Sequence, residues 1–327
     1  MGKYIKIMSA LILLAVMSGC SPHFHLDFLG KDQISEVVII ESVSKEKVLM
    51  VDVSGIITSA SNPNILNREK NILSSIRYRL EKAAEDRLIR GIILRVDTPG
   101  GEVTASDIIY NEIRLFKQKT GVPVVVLGMG VMASGGYYIA SASDYIIAHP
   151  TAITGSIGVI SIFPNIQELF DKLGIHVNII KSGKMKDSGS TFREMTSEEE
   201  AVFQSVVDEL YQKFLDVVLE GRKELLSRER LKEIADGRIY TAGQAHELKL
   251  VDEIGYFDTA FEKAKQLAGI KNAKLVTYTY YPKSKTNIYA STSDSLSFSS
   301  DDDSDIRKMF PSLQAGFYYL WLPQDQR

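Results

Sequence analysis

Short apolar runs alternate with stretches in which apolar residues recur at helical spacing. A continuous apolar run of four to eight residues is typical of a buried strand, whereas a period near 3.6 favours a helix. Strands alternating with helices predict an α/β fold with a mostly parallel sheet flanked by helices. The predicted strands are 47–55, 89–101, 122–128, 144–150, 176–183 and 275–282. The predicted long helices are 67–86, 104–121 and 196–221. For the second of these helices, Thr104 is the predicted N-cap and Gly121 the predicted stop.

The first 19 residues have the layout of a secretory signal. Lys3 and Lys6 precede an apolar run at 7–17, and small residues follow it. The run is shorter than the roughly 20 residues that a spanning helix needs. Cys20, the single cysteine, directly follows this segment at the position of a lipidated cysteine. We therefore expect removal of residues 1–19, lipidation of Cys20 and a membrane-tethered protein of the bacterial envelope that faces outside the cytoplasm.

Composition divides the rest of the chain. Residues 20–45 are predicted to be a tether and 46–282 a folded domain. A segment rich in Ser and Asp, 283–308, is predicted to be a disordered linker. The aromatic segment 309–327 is too apolar for a free tail, so it docks either on the core or on a neighbouring subunit.

The charge and histidine content exclude two classes of function. The net charge is −3 and there is no long basic block, which argues against a nucleic-acid partner. Five histidines are scattered, with no pair at zinc-ligand spacing, so no metal and no other cofactor is expected.

Ser134 lies in the sequence VMASGGYY, after a predicted strand and at the start of a predicted helix. It is either a helix N-cap or a nucleophile. At a helix start, free backbone N–H groups favour an oxyanion, and Gly135 can donate one. His149 lies beyond the next strand, so it is not an obvious base. The segment is not a G-x-S-x-G elbow, because Met132 replaces its first glycine.

Three further segments carry possible chemistry. The turn at Gly100 and Gly101 can point N–H groups into a cleft, or it can be a plain tight turn. The cluster KSGKMKD, 181–187, is either a solvated loop or the source of a general base, since burial can lower a lysine pKa toward neutrality. Ser156, in TGSIGV, can orient such a lysine or belong to a turn.

Together these segments resemble the signal peptide peptidase A family, also called protease IV, of bacterial serine peptidases. The resemblance rests on five segments in family order, namely DTPGGEVTAS (97–106), ASGGYYIA (133–140), TGSIGVI (154–160), KSGKMKD (181–187) and YTAGQAHELKLVDEIG (240–255). It implies a crotonase/ClpP-like fold, peptide substrates and a single-module short form that assembles into a ring.

The resemblance also implies the roles of individual residues. Ser134 matches the nucleophile and Lys186 the general base, with Lys181 and Lys184 as the alternatives. Ser156 matches the hydroxyl that positions the lysine. Gly135, together with Gly101 or Gly100, matches the oxyanion hole. In the short form a neighbouring subunit can complete the dyad.

Three functions are weighed. The first is a membrane-tethered serine endopeptidase that hydrolyses cleaved signal peptides or other unfolded peptides. The second is a non-proteolytic crotonase-fold protein that binds an acyl thioester, which would not require the KSG segment. The third is an envelope scaffold without activity, against which the presence of both Ser134 and Lys186 counts.

Overall fold

The computed structural model describes residues 34–60, 71–279, 287–289 and 316–321. Cys20 and the predicted signal segment lie outside these residues, as does most of the predicted linker. The described residues from Ser35 onward form one compact unit. No helix within the described part of the chain is both long and apolar enough to cross a membrane.

Twelve strands and eight helices make up the described fold. The strands are β1 (Ser35–Ile40), β2 (Lys47–Ser54), β3 (Ile89–Thr98), β4 (Gly100–Glu102), β5 (Val124–Ala133), β6 (Tyr145–Ala148), β7 (Ile153–Gly155), β8 (Ile160–Ile162), β9 (Ile239–Thr241), β10 (Glu253–Ile254), β11 (Lys274–Thr279) and β12 (Gly316–Leu320). The helices are α1 (Ile72–Glu85), α2 (Val103–Thr120), α3 (Gly135–Ala140), α4 (Gln167–Lys172), α5 (Ser197–Arg222), α6 (Arg228–Ile234), α7 (Ala242–Glu247) and α8 (Phe257–Leu267).

The main sheet has the strand order β1-β11-β2-β3-β5-β6-β10, and β7 and β9 continue from β5. The pairs from β11 to β10 along this order are parallel, whereas β1 joins β11 antiparallel. The central strands β2, β3 and β5 are buried almost throughout, as expected for strands covered on both faces. The predicted α/β architecture with a mostly parallel sheet is therefore confirmed.

The helix boundaries follow local chemistry. Helix α5 begins with a capping box, in which the Thr196 hydroxyl accepts from the Glu199 N–H and the Glu199 carboxylate accepts from the Thr196 N–H. Helix α2 ends at Gly121, as predicted, with a φ of 68° that suits glycine. The predicted cap at Thr104 is wrong, because β4 runs directly into the helix and Glu102 occupies the N-cap position.

Two segments differ from their predictions. Strand β1 lies inside the range predicted as a tether, because its residues pair with β11 at the sheet edge. Residues 176–183 were predicted to be a strand, but the structure shows them without regular secondary structure and exposed. No strand among the described residues pairs with them, and a strand needs such a partner.

A second, three-stranded sheet has the order β4-β12-β8, with both pairs antiparallel. Its central strand, β12, comes from the aromatic C-terminal segment. Within the described residues, this segment therefore docks on the core of its own chain. The groove that it fills runs between the Gly-Gly turn and β8.

Candidate active site

Ser134 stands where β5 ends and α3 begins. Its backbone has φ 51° and ψ −114°, a conformation that non-glycine residues rarely adopt. Such strain costs on the order of 1–3 kcal/mol and is concentrated at functional sites. The sequence left two roles open for Ser134, a helix N-cap and a nucleophile. The Ser134 side chain makes no capping hydrogen bond to α3, so side-chain capping is not observed.

Ser156 is placed beside Ser134 by parallel strands. Ala133 on β5 pairs with Gly155 on β7, and the Ser134 N–H donates to the Gly155 carbonyl at 2.8 Å. Ser134 and Ser156 each follow one member of that pair, and both have positive φ. The two buried serines therefore lie at adjacent strand ends, which is the proximity that a positioning role for Ser156 requires.

The Gly-Gly turn approaches the start of α3 so closely that side chains are excluded. A Cβ atom on Gly100 would lie 2.7 Å from the Gly135 nitrogen, and one on Gly101 would lie 1.9 Å from the Ile57 carbonyl oxygen. A Cβ on Gly136 would lie 2.7 Å from the Thr98 methyl carbon. Residue 136 therefore needs to be glycine, because β3 packs directly against this part of α3. These glycines let the backbone of the Gly-Gly turn lie directly against the backbone nitrogen of Gly135.

The carbonyl group of Tyr319 points at this same place. Strand β12 pairs Tyr319 with Gly101 and Leu320 with Gly100, and the Trp321 N–H donates to the Pro99 carbonyl at 2.8 Å. The Tyr319 oxygen would lie 2.0 Å from a Cβ on Gly100 and 3.1 Å from one on Gly135. A peptide carbonyl therefore sits between the Gly-Gly turn and the residue after Ser134.

The three lysines of the KSGKMKD segment differ in their partners. The Lys181 amine contacts the Asp187 carboxylate at 2.5 Å, and Lys184 forms an ion pair with Glu198. The hydrogen bond that the Lys184 amine donates to the Glu198 carboxylate raises the pKa of Lys184, which disfavours the neutral amine that a base needs. The exposed amine of Lys186 has no ion pair or hydrogen bond with any residue the structure describes.

An arginine anchors the loop that carries Lys186. The Arg193 guanidinium donates to Asp187 at 2.8 and 3.0 Å and to Glu199 at 2.9 Å. The same guanidinium holds the pKa of both carboxyl groups well below their usual range. Sequence reasoning missed this cluster, although Asp187 adjoins Lys186 and Glu199 belongs to the recognisable capping box.

Ser134 and Lys186 differ in burial and make no hydrogen bond with each other among the described residues. Ser134 is 1% exposed, while Lys186 is exposed. In the described part of the chain no hydrogen bond joins the Ser134 hydroxyl to a lysine.

The stretch before Lys186 is rich in large apolar side chains in contact with solvent. These are Leu169, Leu173, Ile175, Val177, Ile179 and Ile180.

Histidine and metal chemistry are not assembled beside Ser134. The His149 ring bonds to the Thr151 hydroxyl at 2.9 Å and packs edge-on against Tyr256, so it belongs to a strand-end turn. Among the residues that the structure describes, no group of three or more His, Cys, Asp or Glu side chains forms a metal site.

Comparison with known protein families identifies the fold class first and the peptidase family second. A family model described as Clp protease matches residues 66–154, which contain β3, the Gly-Gly turn and Ser134. The fold is therefore of the predicted ClpP-like type. A second model, described as Peptidase family S49, matches residues 116–271, which contain both Ser134 and the lysine cluster. The chain belongs to this family of serine-type peptidases, which confirms the resemblance drawn from the five segments.

Proteins similar to this chain are described as signal peptide peptidases or proteases. The chain is 36% identical to a putative signal peptide peptidase SppA of Enterococcus faecium, over 81% of this chain and 75% of that protein. It is also 36% identical to protease 4 of Haemophilus influenzae, over 68% of this chain but 35% of that protein. Identity to the chloroplastic serine protease SPPA of Arabidopsis thaliana is 30%, over 75% of this chain and 36% of that protein.

Proposed function

We propose that this protein is a membrane-tethered serine endopeptidase that uses a Ser134–Lys186 dyad to hydrolyse cleaved signal peptides or other unfolded peptides. The observation that carries the proposal is the position of the Tyr319 carbonyl, between the Gly-Gly turn and Gly135 at the strained Ser134. An extended peptide already lies in the groove as an added strand, which is a common mode of peptide recognition. One relative, from Enterococcus faecium, is described as a putative signal peptide peptidase.

The reaction has two stages. The Ser134 oxygen attacks the peptide carbonyl carbon, neutral Lys186 takes its proton, and the N–H groups of Gly101 and Gly135 stabilise the oxyanion. Gly100 sets the turn that directs these donors. Lys186 then protonates the leaving amine, and the C–N bond breaks. In the second stage Lys186 activates a water molecule, which hydrolyses the ester on Ser134.

Lys186 can act as a base only if its amine is buried from solvent, because burial lowers a lysine pKa toward neutrality. In our proposal, a second copy of this chain buries the amine. The exposed apolar segment before Lys186 and the missing strand partner of residues 176–183 support an interface there. Such a contact between different surfaces of two copies builds a ring when it closes. Ser156, next to Ser134, is then placed to orient the incoming amine.

Membrane attachment is the remaining part of the proposal. Cys20, lipidated and then made the new N-terminus by removal of residues 1–19, would hold the catalytic domain outside the cytoplasm, in the bacterial envelope. The sequence alone supports this part. Intact mass of the membrane-extracted protein checks it, since lipidation adds acyl mass to a chain that begins at Cys20.

Peptide hydrolysis by a chain that begins after Cys20 tests the chemistry. The wild type should cleave unfolded peptides, while Ser134→Ala and Lys186→Ala should each lose nearly all turnover, because the pair acts as a unit. Lys184→Ala is the matched control, since its amine is already paired with Glu198. Full activity of Ser134→Ala would refute the proposed nucleophile. Full activity of Lys186→Ala with loss in Lys184→Ala would reassign the base.

A further inference from the structure

Thr98 is the last residue of β3, directly before the Gly-Gly turn, and it is fully buried. Its hydroxyl accepts a hydrogen bond from the Gly100 N–H at 3.1 Å. The hydroxyl donates its own proton to the Gly55 carbonyl, which is the nearer of the two carbonyl oxygens around it. Because a hydroxyl both donates and accepts, one side chain satisfies two backbone groups. Thr98 thereby joins the Gly-Gly turn to the loop that follows β2.

The hydrogen bonds around the turn decide which of its N–H groups serves the groove. The Gly100 N–H is bonded to Thr98, and the Glu102 N–H donates to the Ile57 carbonyl at 2.8 Å. Gly101 lies between these two residues and pairs with the strand in the groove. Both neighbours of Gly101 are therefore held inside the protein, and the direction of the Gly101 N–H depends on how firmly they are held.

The methyl group of Thr98 faces the other half of the proposed oxyanion hole. A Cβ on Gly136 would lie 2.7 Å from this methyl carbon, so the methyl fills the space that a side chain would need. Gly136 is the second residue of α3 and follows Gly135, whose N–H is the other proposed donor. Thr98 therefore contacts both segments that supply donors, one through its hydroxyl and the other through its methyl group.

From these contacts we propose that Thr98 is a positioning residue of the oxyanion hole, which aims the Gly101 N–H and holds the start of α3 so that both donors meet at one oxygen. The inference rests on the proposed peptidase function. Loss of one oxyanion donor lowers kcat by about 100- to 1,000-fold. A displaced donor costs less than a lost one, so removal of the Thr98 hydroxyl should lower kcat by at least about tenfold. The effect should fall mainly on kcat, because these bonds strengthen in the transition state.

Three substitutions in the full chain separate the hydroxyl, the methyl group and stability. Thr98→Val keeps the shape and removes the hydroxyl, whereas Thr98→Ser keeps the hydroxyl and removes the methyl group. The expected order of kcat is wild type, Thr98→Ser, Thr98→Val. Thr277→Val is the matched control, because Thr277 is also fully buried, donates to the Met50 carbonyl at 3.1 Å and lies on β11, which β2 separates from β3. Its kcat should equal that of the wild type. Turnover of a peptide with the sequence of residues 314–325 is measured beside thermal unfolding.

A peptide aldehyde measures the oxyanion hole without turnover. An aldehyde with the sequence of residues 316–319 places its terminal carbonyl where the Tyr319 carbonyl lies. The Ser134 oxygen forms a bond to the aldehyde carbon, the C=O π electrons move to the oxygen, and the Ser134 proton passes to Lys186. The corresponding peptide alcohol has the same side chains but no carbonyl to attack. Displacement of a fluorescent copy of the alcohol gives both affinities. The aldehyde-to-alcohol ratio should fall at least about tenfold in Thr98→Val and stay unchanged in Thr277→Val.

The outcomes separate the two proposals. Wild-type kcat and an unchanged affinity ratio in folded Thr98→Val would overturn the positioning role and leave the peptidase function standing. If Thr98→Val does not fold, the smaller Thr98→Ala replaces it, and failure of both to fold would assign Thr98 to stability alone and overturn the proposal. A wild type that prefers the aldehyde but cleaves no peptide would overturn the peptidase function, while a lower ratio in Thr98→Val would still support the positioning role. Neither cleavage nor a preference for the aldehyde would overturn both.

Discussion

Replacing Gly101 by alanine is the sharpest single perturbation of the proposed oxyanion hole. A Cβ at this position would lie 1.9 Å from the Ile57 carbonyl oxygen and 2.6 Å from its carbon, both in the backbone of a buried residue. Real Cβ contacts of this kind essentially never fall below 3.0 Å, so the turn must move by about 1.1 Å. Because Gly101 pairs with the peptide in the groove, that movement displaces the N–H group from the carbonyl it faces.

A misplacement of about 1 Å at a reacting centre can lower the rate by about 100-fold. We therefore expect Gly101→Ala to lose about 100-fold in kcat on a peptide substrate, measured under saturating substrate and beside thermal unfolding of the same sample. The matched control is Gly121→Ala at the end of α2. Its φ of 68° disfavours alanine, but no atom lies within 4 Å of the added Cβ, so stability should fall by about 1–2 kcal/mol while kcat is retained. A folded Gly101→Ala protein with wild-type kcat would refute the reasoning.

Three further predictions concern the groove and the loop that carries Lys186. Tyr319→Ala should lower the apparent KM for added peptides, because β12 loses its buried ring and competes less with them for the groove. An unchanged KM in steady-state kinetics would contradict occupation of the groove by β12. Arg193→Met should abolish turnover and increase hydrogen exchange across 181–199, because it removes the bonds to Asp187 and Glu199; protected amides and full turnover would contradict the anchor. Since Arg193 lowers the pKa of both carboxyl groups in the folded state, their contribution to stability is present above their unfolded pKa values of about 4 and is lost as the pH falls through the lower folded values. Exchange protection of 181–199 should therefore persist at pH 5 and decline only below about pH 4, and a loss between pH 7 and 5 would contradict the assigned cause.

The parts of the fold that sequence predicted are those determined locally. The runs at 47–55, 89–101 and 122–128 are apolar on both strand faces, and burial under helices follows from that. Ser134 was identifiable because glycines follow it and because four other segments accompany it. The approach of Gly136 to Thr98 was not identifiable, since it depends on helix α3 packing against strand β3 in space.

The parts that sequence did not predict depend on partners distant along the chain. Residues 176–183 read as a strand because an apolar pattern does not say whether a neighbouring strand exists. The C-terminal aromatic residues showed only that they should be covered. Their insertion between β4 and β8, which places Tyr319 beside Gly100, required the three-dimensional structure. Arg193 is a different case, because its partners Asp187 and Glu199 each lie six residues away, and the folded loop brings both carboxylates to one guanidinium.

The central claim is that Ser134 and Lys186 react as a pair, with each supplied by a different copy of the chain. Co-expression of Ser134→Ala with Lys186→Ala in equal amounts tests it most directly. Each variant alone should be inactive, whereas the mixed assembly should recover about a quarter of wild-type turnover, since a quarter of the interfaces in a randomly mixed ring carry both intact residues. A mixed assembly that stays inactive, although both variants fold and associate, would contradict the account.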